Sequence, residues 1–321
     1  MLKKKKIFFI APIFHDYQNA IKSTLEDFGA EVDFYPERSY GWQFKIINNY
    51  FHRKLDEYQN KHYLKMLNES SEKEYDYLFV IRGYKISEEF LKGFRDNNPN
   101  ATLIMYQWDS QKNNEFTHVA HLFDRVYSFD IVDCKLFNLE YLRLFYSQDV
   151  KSIIDDKSKP EYDFFFMGSY LYNRYQAMLK FNAYAKENNL TIKSFLYISF
   201  TTFIKEAMRG KFLNPSNVSF ISMKREKYLD TLKKSKIVID VSSPTQTGLA
   251  MRVIETLASK TKLLTTNKNI VEESYFNENM INFFDDFNPH VNKDFMTSKT
   301  ESLDGLYCID EWLKKMFQIS E

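Results

Sequence analysis

The residues best placed to do chemistry cluster between positions 235 and 266, SKIVIDVSSPTQTGLAMRVIETLASKTKLLTT. An apolar, β-branched run, Lys236–Val241, suits a buried parallel strand. The small polar residues Ser242, Ser243, Pro244, Thr245, Gln246, Thr247 and Gly248 follow, and then a helical stretch through Ala258. A loop of small residues ahead of a helix N-terminus offers N–H groups and a positive dipole end to a diphosphate. Arg252 and Glu255 lie one turn apart on one helix face. The arginine can neutralise a departing diphosphate, and the carboxylate can accept hydrogen bonds from ribose hydroxyls. In the plain structural alternative this is an ordinary βαβ unit, with Arg252 paired to Glu255 or Glu226 on the surface.

A second cluster is Phe164–Arg174, FFFMGSYLYNR. A buried strand runs to a turn at Gly168-Ser169, and a helix starts shortly afterwards. The glycine permits close backbone approach, so exposed N–H groups at Gly168-Ser169 can meet a phosphate or an acceptor, and Arg174, near the start of the helix, can reach into the cleft to bind the donor. A tight turn with a surface arginine reads equally well.

Three positions in the first half follow apolar strands, where open parallel sheets bind ligands. They are His15-Asp16 after the first strand, Arg82-Gly83 after the third and Trp108-Asp109 after the fourth. Asp16, His15 or Asp109 can act as the general base toward a hydroxyl. Trp108 offers a flat face to a sugar ring, and Arg82 can bind an acidic acceptor or a phosphate. The alternatives are helix caps for Asp16 and Asp109 and a core position for Trp108.

Strands and helices that alternate along 321 residues imply an α/β fold of two parallel-sheet domains. In the first, strands are expected at Lys6–Pro12, Glu31–Tyr35, Tyr75–Ile81, Ala101–Gln107, Asp124–Ser128 and Tyr141–Phe145. Helices are expected at Tyr17–Phe28, around Ser87–Phe94, and along one long stretch, Trp42–Asn68. The polar run Gln148–Glu161 reads as a linker. The second domain should hold strands Tyr162–Met167, Thr191–Leu196, Val218–Ile221, Lys236–Val241 and Lys262–Thr266, with helices Tyr172–Glu187 and Arg225–Lys234. Gly305–Gln318 is an amphipathic terminal helix. The expected division is therefore 1–150, a linker at 151–161, a second domain at 162–304 and a terminal helix at 305–321.

A net charge of +1 gives no electrostatic case for nucleic acid. Cys134 and Cys308 show no metal-ligand spacing, and no Asp-x-Asp suits a metal-bound nucleotide. Asp155-Asp156 and Asp285-Asp286 are only adjacent pairs. No metal or other cofactor is expected. The N-terminal Lys3–Lys6 cluster and its short apolar run read as the lead-in to a strand, not a signal peptide. No stretch reaches the roughly 20 apolar residues of a membrane span. A cytoplasmic protein is expected, at most in peripheral contact with the inner face of the membrane.

The segment from Glu255 to Thr266 resembles the donor-binding region of GT-B-fold glycosyltransferases of the bacterial surface-polysaccharide and lipopolysaccharide type, with a family 1/4-like C-terminal domain. There a Glu-x7-Glu pattern precedes a small-residue turn and a short strand. Glu255 stands where the ribose-holding glutamate would be, but Thr247 replaces the first glutamate, with Gln246 beside it. The resemblance implies two Rossmann-like domains facing across a cleft, the acceptor on the first and a nucleotide-sugar on the second. It also implies a terminal helix that can cross back to the first domain. Metal-independent sugar transfer to a glycan or glycolipid is the implied reaction. A sugar-nucleotide epimerase, a polyol-phosphate transferase or a non-catalytic sugar- or protein-binding module are the alternatives.

Overall fold

The computed structural model describes residues 2–154, 159–285 and 288–319. The chain divides into two compact units. The first comprises Met1–Leu144, Thr245–Gly248 and Tyr307–Glu321; the second comprises Phe145–Pro244 and Leu249–Leu306.

Six strands build the main sheet of the first unit: β1 (Lys6–Ala11), β2 (Glu31–Pro36), β3 (Tyr77–Ile81), β4 (Thr102–Gln107), β5 (Arg125–Ser128) and β6 (Glu140–Tyr141). They form one parallel sheet in the order β2-β1-β3-β4-β5-β6, in register at pairs such as Phe8↔Leu78 and Phe79↔Ile104. The continuous apolar runs arise because both faces are covered. Side chains alternate between the faces. Phe8 and Leu78 pack with Phe90 and Phe94 of the helix Glu88–Asn97. Phe9 stacks on Phe79, which meets Phe317 edge-on at 5.3 Å. The terminal helix, Ile309–Phe317, belongs to this unit: Trp312 is fully buried against Tyr106, ring centroids 4.7 Å apart.

The second unit's main sheet has five strands: β7 (Tyr162–Ser169), β8 (Ile192–Tyr197), β9 (Ser235–Asp240), β10 (Lys262–Thr265) and β11 (Ile281–Phe283). Its parallel sheet runs β11-β10-β9-β7-β8. Period-two alternation again splits the core. Phe164, Phe166, Ile237 and Ile239 face the helix Tyr172–Glu187, while Phe165 and Val238 meet Tyr228 and Leu232.

Several expected elements differ. The Trp42–Asn68 stretch is a helix Trp42–Tyr50, a 3-10 turn His52–Lys54 and a helix Leu55–Glu69. Phe51, at φ −128° and ψ 50°, leaves helical conformation, so the two helices bury Phe44 and Leu55 separately. Much of the expected linker is the helix Gln148–Ile154, anchored by the fully buried Val150; residues 155–158 lie outside the described ones. Gly168 and Ser169 end β7 and do not form a turn. Of Tyr141–Phe145, only Tyr141 pairs with β5, and Val218–Ile221 contributes only the bridge of Ser219 to Tyr197. The helix Phe200–Met208 and strand β11 lie outside the expected set. Among the described residues no helix is long and apolar enough to cross a membrane.

Candidate functional site

In the second unit the chain direction through the sheet reverses between β7 and β9. Such switch points open a crevice at the carboxyl ends of the strands, and two arginines occupy this one. A Cβ placed on Gly168 would lie 3.5 Å from Arg174 Cδ and 3.7 Å from Arg252 Nη1. Arg174 donates from Nε to Val241 O (2.8 Å) and from Nη1 to Ser169 O (3.1 Å). It joins no salt bridge among the described residues. Burial, then the charge of Arg252, push its guanidinium down to about 10, against the smaller opposing pull of Asp240.

Arg252 donates from Nη2 to Asp240 Oδ1, and its buried Nε has no partner. Its ion partner is therefore the buried strand-end Asp240, not Glu255 or Glu226. The other Asp240 oxygen accepts from Thr265 Oγ1 at 3.0 Å. Asp240 thus pairs with Arg252 and leaves the neighbouring charge of Arg174 without a carboxylate in contact among the described residues. Ser242 is fixed beside them by Thr266 Oγ1, 3.0 Å from both its N and its Oγ. The following helix, Met251–Ala258, has no side-chain cap; Val253 N and Ile254 N donate to Ala250 O, while the amides of Met251 and Arg252 have no acceptor among the described residues.

The rest of the expected donor set lies differently. Thr247 N and Gly248 N both donate to Asp130 Oδ2 at 3.0 Å, and Thr247 Oγ1 bonds Asp130 Oδ1. Asp130 also caps the helix Ile131–Phe137. A phosphate cannot use amides that a buried carboxylate already holds, and Gln246 beside them is half-buried. Glu255 is 1 % exposed and does not present an open carboxylate. Its oxygens accept from Arg225 Nη1 (2.9 Å) and Nη2 (2.7 Å). Arg225 also binds Asp149 and Ser147, so this network ties the helices Gln148–Ile154, Arg225–Lys233 and Met251–Ala258 together. The ribose role expected of Glu255 conflicts with this placement.

In the first unit the reversal falls between β1 and β3. After β1, His15 and Asp16 take φ values of 46° and 66°, and such strain collects at functional loops. Asp16 is exposed, and its Oδ1 accepts from Asn19 Nδ2 at 2.6 Å. It does not cap the helix Tyr17–Asp27. After β3, Arg82 also has a positive φ, 65°. Its guanidinium is gripped by the fully buried Glu37 and by Asp109 Oδ2 at 3.2 Å. Arg82 is therefore not the open cation expected for an anionic acceptor. Asp109 caps no helix, since the next begins at Thr117. Trp108 is half-buried, edge-on to Phe14 at 6.2 Å. Next to this cluster a groove of about 800 Å³ is lined by Asp56, Asn60, Lys85, Lys112, Asn114 and His118, among others.

Sequence reasoning missed Glu37, Asp240 and Arg225. For Asp240 a signal existed: a carboxylate that ends an otherwise apolar strand needs a cationic partner. Asp155, Asp156 and Asp286 lie outside the described residues.

No protein-family model matches the sequence, and no curated protein matches it. Solved structures do. A glycosyltransferase from Rickettsia africae is similar at TM-score 0.59 and 10% identity, covering 99% of this chain and 100% of that one. MurG from Acinetobacter baumannii follows at TM-score 0.56 and 10% identity, covering 98% and 99%. UDP-GlcNAc 2-epimerase from Neisseria meningitidis, bound to UDP-GlcNAc, has TM-score 0.50 and 9% identity, with coverage of 87% and 86%. Likeness at such identity speaks for architecture, and with two parallel-sheet Rossmann-like units the chain has the GT-B fold.

Proposed function

We propose that this protein is a glycosyltransferase that moves a sugar from a nucleotide-activated donor to a glycan or glycolipid acceptor. The observation that carries the reading is the excess positive charge at the β7/β9 switch point, Arg174 and Arg252 against Asp240 alone. A nucleoside diphosphate supplies the missing negative charge. As the bond between the anomeric carbon and the diphosphate breaks, charge builds on the leaving oxygen. The two guanidinium groups and the uncapped amides at Met251 and Arg252 would stabilise it. That arrangement supports transfer without a metal ion.

The acceptor belongs to the first unit. Its polar groove of about 800 Å³ suits a hydroxyl-rich glycan better than an apolar molecule. Asp16, exposed and in a strained loop, is the better-placed base, since Asp109 is engaged by Arg82. His15 remains the second choice. Glu255 enters the scheme as an anchor of the helix that carries Arg252.

The epimerase fold neighbour supports a second reading, turnover of a sugar nucleotide without an acceptor. Incubation with single nucleotide-sugars separates the two. Release of nucleoside diphosphate that rises at least severalfold with added glycan acceptor supports transfer; acceptor-independent conversion of the donor supports epimerisation. No turnover of any donor, with or without acceptor, would contradict both.

A further inference from the structure

The second unit carries an apolar surface that its own core does not use. In the helix Phe200–Met208, Phe200, Ile204 and Met208 recur every four residues and so form one ridge. All three are exposed, Met208 at 82 %. Two loops extend the ridge. Phe212, 85 % exposed, follows the turn at Gly210, and Phe220 and Ile221 add a further edge, with Ile221 79 % exposed. The Phe200 and Phe220 rings are 5.8 Å apart, so the ridge and the second loop make one patch. Large side chains this exposed on several converging elements mark a docking surface.

Charge around the patch selects the occupant. Residues 200–224, which carry the patch, contain four cations, Lys205, Arg209, Lys211 and Lys224, and one acid, Glu206. Glu206 is buried and accepts from Arg209 and from Tyr170. Lys205 and Lys224 are exposed and join no salt bridge among the described residues. In a symmetric dimer through this face, these cations would meet their own copies at the rim, which is unfavourable. An anionic bilayer meets both demands: its acyl region takes the apolar tips, and its headgroups take the cations.

We infer that the face formed by Phe200, Ile204, Met208, Phe212, Phe220 and Ile221 docks the protein on an anionic lipid surface. The mode is shallow insertion with electrostatic support, and it is independent of the sugar-transfer reading.

The test is flotation of the full chain with phosphatidylcholine vesicles containing about 30 mol% phosphatidylglycerol, against vesicles without it. Wild type should float with the anionic vesicles only, and higher salt should release it. The Met208→Ser/Phe212→Ser/Ile221→Ser variant should partition roughly a hundredfold less. Because these side chains are mostly in solvent, its melting temperature should match wild type. A Trp42→Ser/Tyr50→Ser variant, altering the exposed aromatics of the first unit, should float as wild type does. Absence of wild-type flotation would overturn the proposal. So would loss of flotation only in the Trp42/Tyr50 variant, or a concentration-dependent dimer, seen by sedimentation, that the triple variant abolishes.

Discussion

Arg252 commits its guanidinium to the buried carboxylate of Asp240, whereas Arg174, across Gly168, is held among the described residues by the carbonyl oxygens of Val241 and Ser169. The two arginines therefore differ in what their removal does.

Arg174→Met should leave folding intact. It relieves the repulsion with Arg252 and breaks no ion pair, so the melting temperature should stay within a few degrees of wild type. Affinity for a nucleoside diphosphate should fall about 10- to 100-fold, the worth of one or two charge-assisted hydrogen bonds. Calorimetric titration checks both halves.

Arg252→Met strands Asp240 as an unpaired buried charge. The expected cost is about 3 kcal/mol, in the range for breaking one side of a buried pair. Combining it with Asp240→Asn should recover part of that loss, and urea unfolding of the single and double variants measures the coupling.

How far the sequence led is clearest at these residues. Strand positions and their parallel pairing were legible because apolar runs such as Phe164–Phe166 and Ile237–Ile239 encode buried parallel strands whatever the neighbours. Gly168, Arg174 and Arg252 lie close together because the switch point brings the ends of β7 and β9 side by side, a juxtaposition that spacing along the chain does not record. The burial of Glu255 was not legible because the pairing that accompanies it comes from Arg225, 30 residues upstream. Spacing within one helix carries no record of such a partner. The same holds for Thr247 and Gly248, whose amides are held by Asp130, 117 and 118 residues away.

Glu255→Ala should act on stability before binding. Arg225 loses its buried partner, at a cost of about 2–3 kcal/mol after allowance for the partial exposure of Arg225. A loss of ligand binding in that variant would report damage to the helix carrying Arg252, and Glu255→Gln, which keeps the packing, should bind nearly as wild type. Thermal melts with and without ligand distinguish these outcomes.

Asp149 sets a pH dependence in the same network. Burial raises its carboxyl, but hydrogen bonds from Arg225 and Ser147 outweigh that and hold it below the usual carboxylate range. A depressed folded-state value means its contribution is complete above the unfolded value of about 3.9 and is lost as pH falls through the folded one. Wild type should therefore lose stability steeply below roughly pH 4, and Asp149→Asn should be less stable at neutral pH with a shallower acid limb. Urea midpoints across pH 2.5–7 (approximately spaced by half a unit) resolve the two slopes.

Gly248 tests the close packing at Asp130. A Cβ there would lie 2.4 Å from the Phe129 ring, so Gly248→Ala should destabilise by about 1–3 kcal/mol. Phe129→Leu should relieve the clash in the double variant, and unfolding midpoints of the pair measure the rescue.

The central claim is that Arg174 and Arg252 form a diphosphate site at the β7/β9 switch point. Its most direct test is the thermal shift produced by UDP-, GDP-, CMP- and dTDP-sugars on wild type and Arg174→Met, with and without EDTA. The account predicts that one nucleotide class raises the wild-type melting temperature, that EDTA leaves the shift unchanged, and that Arg174→Met loses most of it while melting normally without ligand. An equal shift in Arg174→Met, or no shift in wild type with any donor, would contradict it.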